Sequence, residues 1–517
     1  STLYPLTIEA GAVTDNLGNA CAAATINFTT KAKPTVTPSL FDFVVAQDGS
    51  GNGTTIQSAF DAVPANNTNV FRIFVKKGTY AEYPTLADGK TNVSLIGQHR
   101  DSVIITGNHY SGLVSGITYS TSNCQTLEIL GDNFYCENIT VKNTAGRDIG
   151  QAVALKVYAD KAVFKNVRLL SYQDTHLTSN VASDRQYYLN CDIHGTVDFI
   201  FNDGVAYFDN CSLYIEDRTT ANVVCAPATN STNPYGFVFS DCTIDGASSQ
   251  DGVYYLARPW KNAPRAVYLN TKMNILPAND AWTNMSALPA LFVEYNSVSR
   301  NGSALTFAPR VDFTFTNSNS EVINDSLTTT RPSSIDATQA ALYTRDNVLN
   351  GSDSWDATTK IGAPAAVENL IYNAVDSKLT WTAVDGAACY VIITNGTVVG
   401  FSTLPEFATS QPSTTYYVLA ASEYGALSES VSVTTGISNS VREKKGFLVA
   451  TIVTNEISLI NPTNFSVVEV ISLSGNTMIS SQLKGSSIPV NNLHNGCYLV
   501  KGTAKNGEVY VDKIIKK

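Results

Sequence analysis

Charge is scarce in this chain of 517 residues: Asp, Glu, Lys and Arg make up only 15%, and they sum to a net charge of -10. A net acidic chain whose lysines cluster only near its C-terminus offers no footprint for nucleic acid, so no such partner is expected. Long apolar runs are missing too. None reaches the roughly 18 residues of a helical membrane span. The chain opens on Ser1 and strand-like sequence with no leader, as expected of a processed or trimmed protein. Its nine Cys include no C-x-x-C pair, which argues against zinc, and the odd count leaves at least one thiol unpaired. Cysteine usage therefore does not fix the compartment. No Ser-His-Asp order and no His cluster is present, so neither a triad hydrolase nor a His metal centre is indicated.

What the chain does hold is β-rich. It is 44% apolar with 25 Tyr, and many Thr, Asn and Val. Its length predicts about three to four domains. Residues 1–33 read as short strands with a turn at 15–19, and 34–40 read as a linker; the run 6–19 resembles the last part of a bacterial Ig-like domain. The Gly-rich run 48–54 lacks the Lys-Ser/Thr of a phosphate cradle and predicts a tight turn before a helix at 56–63. A strand at 71–75 should follow, ending in a Gly turn at Gly78.

From 92 to 275 a loose repeat runs: an aromatic or apolar residue, a polar one, Asn or Asp, then alternating apolar residues. The Asn/Asp markers are Asn138, Asn166, Asn190, Asn210, Asp241 and Asn270, spaced 28, 24, 20, 31 and 29 apart. Short strands at this period with no helix between them predict a parallel β-helix, whose coils stack about 4.8 Å apart. Cys191, Cys211 and Cys242 share one repeat position and should stack inside, either as thiols filling small spaces or as a bridge between rungs.

Two short runs place one Asp each among apolar and aromatic residues: Gln-Asp-Thr-His-Leu at 173–177 and Gly-Thr-Val-Asp-Phe-Ile-Phe-Asn at 195–202. Two such carboxylates brought together can divide labour, one ionised and attacking, the other protonated and donating. Gln151 and Gln173 lie 22 residues apart, and Asp174 and Asp198 lie 24 apart, each close to one coil. Both pairs can therefore converge on one face. Arg258 is 60 residues beyond Asp198, about two coils further on. Taken singly, each of these residues is better explained as a structural ladder member. Asp192, Asp203 and Asp209 fit no motif, and Asp203 reads as a turn residue.

Together with Gly78-Thr-Tyr-Ala-Glu82, Gln151-Ala-Val-Ala-Leu155 and Leu256-Ala-Arg-Pro-Trp260, these runs resemble, in order, five motifs of the pectin methylesterases, over about 41–360. The resemblance implies an all-β chain, a right-handed parallel β-helix with appended C-terminal β-sandwich modules. It also implies hydrolysis of methyl esters on homogalacturonan. Asp198 then matches the nucleophile, Asp174 the general acid/base, Gln151 and Gln173 the oxyanion donors, and Arg258 the partner of the nucleophilic carboxylate. Trp260 and Phe201 match aromatic residues of the subsite. His176, where the family usually has Leu, and His194 read as rim residues or substrate contacts. Asn202 and Ala257 stand where the family has Gly, and 178–184 looks inserted.

A tail at 337–355 should be helical and pack back on the solenoid. Residues 365–436 resemble a fibronectin type III sandwich. Residues 440–517 form another β-module, resembling bacterial secretion-sorting domains. A monomer is expected, secreted or held at the cell surface or in the periplasm of a Gram-negative bacterium. A polygalacturonate lyase or glycosidase on the same fold, or a binding protein without catalysis, are the alternative readings.

Overall fold

The computed structural model describes residues 3–12, 14, 20, 22–29, 40–307, 314–316, 320–324, 332–409, 411, 413–435, 447–472, 476–482, 485–505 and 509–517. The turn expected at 15–19 and nearly all of the linker at 34–40 lie outside them. Two compact units are present, Ser1–Ile437 and Ser438–Lys517.

The first unit is built around a parallel β-helix. Three parallel sheets of seven, ten and nine strands run its length, and the chain visits each in turn on every coil. The repeat marker explains how the coil turns. Asn138, Asn166, Asn190, Asn210, Asp241, Asn270 and Asn296 all take positive φ, between 49° and 60°. Asn and Asp tolerate this left-handed conformation better than other residues with a Cβ. Their amides also bond along the stack: Asn166 Nδ2 donates to Asn138 Oδ1 at 2.6 Å, Asn210 to Asn190 at 2.7 Å, and Asn296 to Asn270 at 2.9 Å. One residue thus makes the corner and ties it to the next.

Inside the coil, Phe164, Tyr188, Phe208, Phe239 and Tyr268 stack face to face, with centroids 4.4–5.0 Å apart. Cys191, Cys211 and Cys242 line the same interior as free thiols. Each sits near a backbone carbonyl, at Phe164, Tyr188 and Phe208 respectively, rather than bridging to its neighbour.

The helix Ile56–Ala62 closes one end of the coil. Thr55 caps it through Ser58 N, and the Glu82 carboxylate accepts from the N–H groups of Ile56 and Gln57 at 2.7 and 3.0 Å. An anion on free N-terminal amides is favourable, which accounts structurally for Glu in the 78–82 motif. Asp48 accepts from Ser50 N, and Gly49 has φ +77°, so the Gly-rich run is a turn, as expected.

The tail forms short helices, Ala337–Ala340 and Arg345–Leu349, with 3-10 turns after each. Val348 and Leu349 join the outer face of the ten-stranded sheet in one buried cluster with Tyr187, Val205 and Tyr207. Farther along that face the cluster takes in Cys389, Val391, Phe401 and Leu419 from the segment after Pro364. That segment is a sandwich of a three-stranded and a four-stranded antiparallel sheet. Phe401 packs on Phe41 and Phe74 at 5.5 and 5.3 Å, so sandwich and solenoid share a core. Ahead of the solenoid, strands Leu3–Ile8 and Ala24–Thr29 pair antiparallel.

The second unit has a five-stranded sheet and a two-stranded one, closed on its own core of Phe447, Val468, Val500 and Ile514 among others.

Candidate active site

The seven-stranded sheet carries the candidate residues. Gln151 and Gln173 form a parallel bridge on adjacent rungs. Asp174 N donates to Val197 O at 3.0 Å, which sets Asp174 one rung from Asp198. Both aspartates have positive φ, 62° and 52°, and the strand Val197–Asn202 shifts register between Val197 and Ile200. A bulge re-aims the side chain it carries. Gly195 makes this local path possible: a Cβ there would stand 2.1 Å from Phe199 Cβ and 2.8 Å from Tyr172 O.

Arg258 reaches Asp198 with a two-pronged contact, Nε to Oδ1 at 2.7 Å and a terminal nitrogen to Oδ2 at 2.5 Å. This planar fork is the strongest ion-pair geometry a protein offers. Burial raises the Asp198 carboxyl above its ordinary range, while hydrogen bonds and charge from Arg258, with charge from Arg218, pull it back. Asp174 is pushed well above its range, first by burial and then by the nearby charge of Asp198. Arg258 and a hydrogen bond from Gln173 oppose that only in part. Both carboxyls are raised, Asp174 the more, and the fork favours the ionised form of Asp198.

An apolar patch adjoins the pair. Cys124, Val153, Leu177, Phe201 and Ala226 are buried in it, and Tyr119, Tyr158, Trp260 and Met285 pack partly exposed against them. Trp260 and Phe201 lie 5.9 Å apart. Lys261 stands 4.1 Å over the Trp260 ring and Lys156 4.3 Å over that of Tyr158. Arg218, Tyr119, Tyr158 and Met285 escape a sequence reading. They come from turns and from strand ends outside the repeat, and no motif flags them.

His176 is a correction. It is no rim residue: its exposure is 0%, and it sits between Leu155 and Ile200 in the inward-facing ladder of the seven-stranded sheet. Its Nδ1 lies 3.1 Å from Leu155 O and its Nε2 2.6 Å from the Tyr188 hydroxyl. Burial lowers it to about 4, so the ring is neutral. His194 also has another task. On the nine-stranded sheet it lies 3.1 Å from Asp192 and 2.8 Å from Glu216, and Arg168 holds Asp192 from the other side. Asp203 accepts from Asn230 N at 2.9 Å, a turn contact. Asn202 takes φ +103° and its amide donates to Thr178 O. Part of the 178–184 segment lines a cavity of about 470 Å³ with Tyr235 and Val348, and none of the candidate site residues borders it. Among the described residues, no group of three His, Cys, Asp or Glu is arranged to hold a metal.

The pectinesterase family model matches residues 42–331. A pectinesterase of Petunia integrifolia is 36% identical over 279 residues, 52% of this chain and 71% of that protein. A protein of Arabidopsis thaliana named as a pectinesterase/pectinesterase inhibitor is 36% identical over 281 residues, 52% of this chain. The match spans between 37% and 48% of the length of three such Arabidopsis relatives. Among solved structures, pectin methylesterase from carrot superposes with a TM-score of 0.52 at 28% identity, covering 64% of this chain and 98% of the carrot chain. Profile, relatives and fold agree on the same stretch that holds the paired acids, and the chain belongs to the pectinesterase family.

Proposed function

We propose that the chain hydrolyses methyl esters of homogalacturonan, giving pectate and methanol. The observation that carries this reading is the fork of Arg258 on Asp198, with Asp174 one rung away. The Asp198 carboxylate attacks the ester carbonyl. Negative charge builds on the carbonyl oxygen, and the amides of Gln151 and Gln173 donate to it without adding charge of their own. As the C–O bond to methanol breaks, Asp174 supplies its proton. An anhydride between substrate and Asp198 remains. Asp174, now ionised, takes a proton from water, whose oxygen attacks the anhydride. The product leaves as the carboxylic acid and gives its proton to solvent as pectate, Asp198 is again a carboxylate, and Asp174 is again protonated.

Arg258 keeps the nucleophile ionised and oriented throughout. Phe201 and Trp260 offer apolar surface to the sugar face and the ester methyl. Lys261 beside the Trp260 ring suits a polyanionic chain, whereas Lys156 is buried and paired with Glu128 at 2.8 Å. The reaction needs no cofactor. The enzyme acts as a monomer outside the cell, where a wall polysaccharide is met. No helix among the described residues is long and apolar enough to cross a membrane. The segment 365–436 is proposed as a fibronectin type III-like domain, on its three-plus-four strand count. The unit from 440 is proposed as a sorting module, which favours the surface or periplasm of a Gram-negative bacterium.

The test is methanol release from methylated pectin. Wild-type protein should release it and Asp198→Ala should not. Unsaturated or shortened oligogalacturonides in place of methanol would overturn the proposal in favour of a lyase or glycosidase.

A further inference from the structure

A small hairpin stands beside the candidate site. Strands Gly112–Val114 and Ile117–Tyr119 pair antiparallel, with Gly112 opposite Tyr119, Leu113 opposite Thr118 and Val114 opposite Ile117. It is rooted on the rung of the oxyanion residues, since Ser111 N donates to Gln151 O at 2.8 Å. Side chains opposite each other in an antiparallel pair share a face, and alternate residues along a strand return to it. Tyr119 therefore shares its face with Val114 and Ile117. Tyr119 packs into the apolar patch of Phe201 and Trp260, and its ring stacks on His109, which stacks in turn on Tyr83. The face that carries Ile117 is thus continuous with the cleft. Leu113 and Thr118 point the other way.

Ile117 is 58% exposed and Val114 half-buried; Leu113 on the opposite face is 64% exposed, so what sets the first face apart is its continuity with the cleft. Residues 110–120 include no Asp, Glu, Lys, Arg or His. An apolar wall with no charge of its own discriminates between the two forms of a pectin residue. It accepts a methyl ester, and it strips water from a free carboxylate without offering a partner.

We propose that the Val114–Ile117 face of this hairpin is a specificity subsite for the methyl ester of a galacturonate near the one being hydrolysed, so that the enzyme prefers densely esterified stretches. The inference rests on the pectin-methylesterase reading above. Its occupant is the substrate chain itself, because the face runs on from the aromatic patch beside the paired acids.

The experiment compares kcat/KM for methanol release on a highly esterified and a sparsely esterified pectin. Ile117→Lys should lower the high-to-low preference ratio about tenfold, mainly through KM, because an ammonium attracts the carboxylate that the wall rejects. Ile117→Leu should retain the wild-type ratio. Leu113→Lys, with the same charge on the opposite face, should leave it unchanged. An unchanged ratio in an active Ile117→Lys variant overturns the subsite, and so does an equal shift in Leu113→Lys. Neither result touches the esterase reading, which fails only if the wild type releases no methanol from either pectin.

Discussion

Replacing Arg258 by Ala removes both prongs from Asp198 and leaves a carboxylate whose side chain is only 8% exposed without its partner. Two unit charges about 4 Å apart at an effective dielectric of about 20 interact by about 4 kcal/mol. At 1.36 kcal/mol per pKa unit, that bounds the shift at about 3 units, within the range of about 1–3 known for an Asp beside an Arg. The proposed mechanism needs Asp198 ionised and Asp174 protonated. Losing Arg258 raises the Asp198 carboxyl, so the acidic limb of the pH–rate profile should move up by about 1–3 pH units. Arg258 also draws Asp174 down, so the alkaline limb should rise as well, by less. The active window narrows from its acid side. At the old optimum, a loss of about 3 kcal/mol of orientation and charge lowers kcat by about 10²-fold. Arg258→Lys should recover part of the limb position but little of the rate, because an ammonium cannot make the fork. The assay is methanol release against pH for the three proteins. An acidic limb that stays in place while kcat falls would refute the electrostatic role of Arg258 and leave it a mere positioning contact.

Other perturbations separate site from scaffold. His176→Leu should keep kcat and KM within about twofold, since the ring faces the interior; a marked rise in KM would return it to the cleft. His194→Gln should cost about 1–3 kcal/mol near pH 5–6. The His194 contribution is full below its ordinary 6.5 and fades as pH rises through about 9; that of Asp192 is full above 3.8 and fades as pH falls through about 2. Urea unfolding at pH 5.5 and pH 10 should therefore show the variant's deficit at the lower pH and its near disappearance at the higher. Asn166→Ala should cost about 2 kcal/mol, from left-handed strain and the lost bond to Asn138, and Asn166→Gly about half of that. Equal midpoints for the two variants would contradict the corner argument.

The solenoid is legible in the sequence because one residue type does two jobs at each corner. Left-handed backbone and amide ladder both select Asn or Asp, so the marker recurs on successive coils from Asn138 to Asn296 and shows the period. The spacing of the Gln and Asp pairs translates directly into adjacent rungs for the same reason. His176 is misread from sequence because adjacency to Asp174 does not mean shared orientation. With Asp174 at φ 62°, simple alternation breaks, and the direction of His176 is set by its register on the sheet. The inward ladder of Leu155, Ile200, Cys225 and Ala257 places it in the core. The fork from Arg258 and the hairpin beside Gln151 depend on side-chain reach and loop path, which spacing does not encode. The shared core of sandwich and solenoid is equally hidden. The resemblances over 41–360 and 365–436 read as separate domains, yet Phe401 of the second packs onto Phe41 and Phe74 of the first.

The most direct test is of the protonation states themselves. Carbon NMR of the free enzyme carrying carboxyl-labelled aspartate, with Asp174→Asn and Asp198→Asn to assign the two signals, reads each acid across pH. At pH 6 the account predicts a protonated Asp174 beside an ionised Asp198. Two ionised carboxylates at that pH, each titrating in the ordinary range, would contradict it.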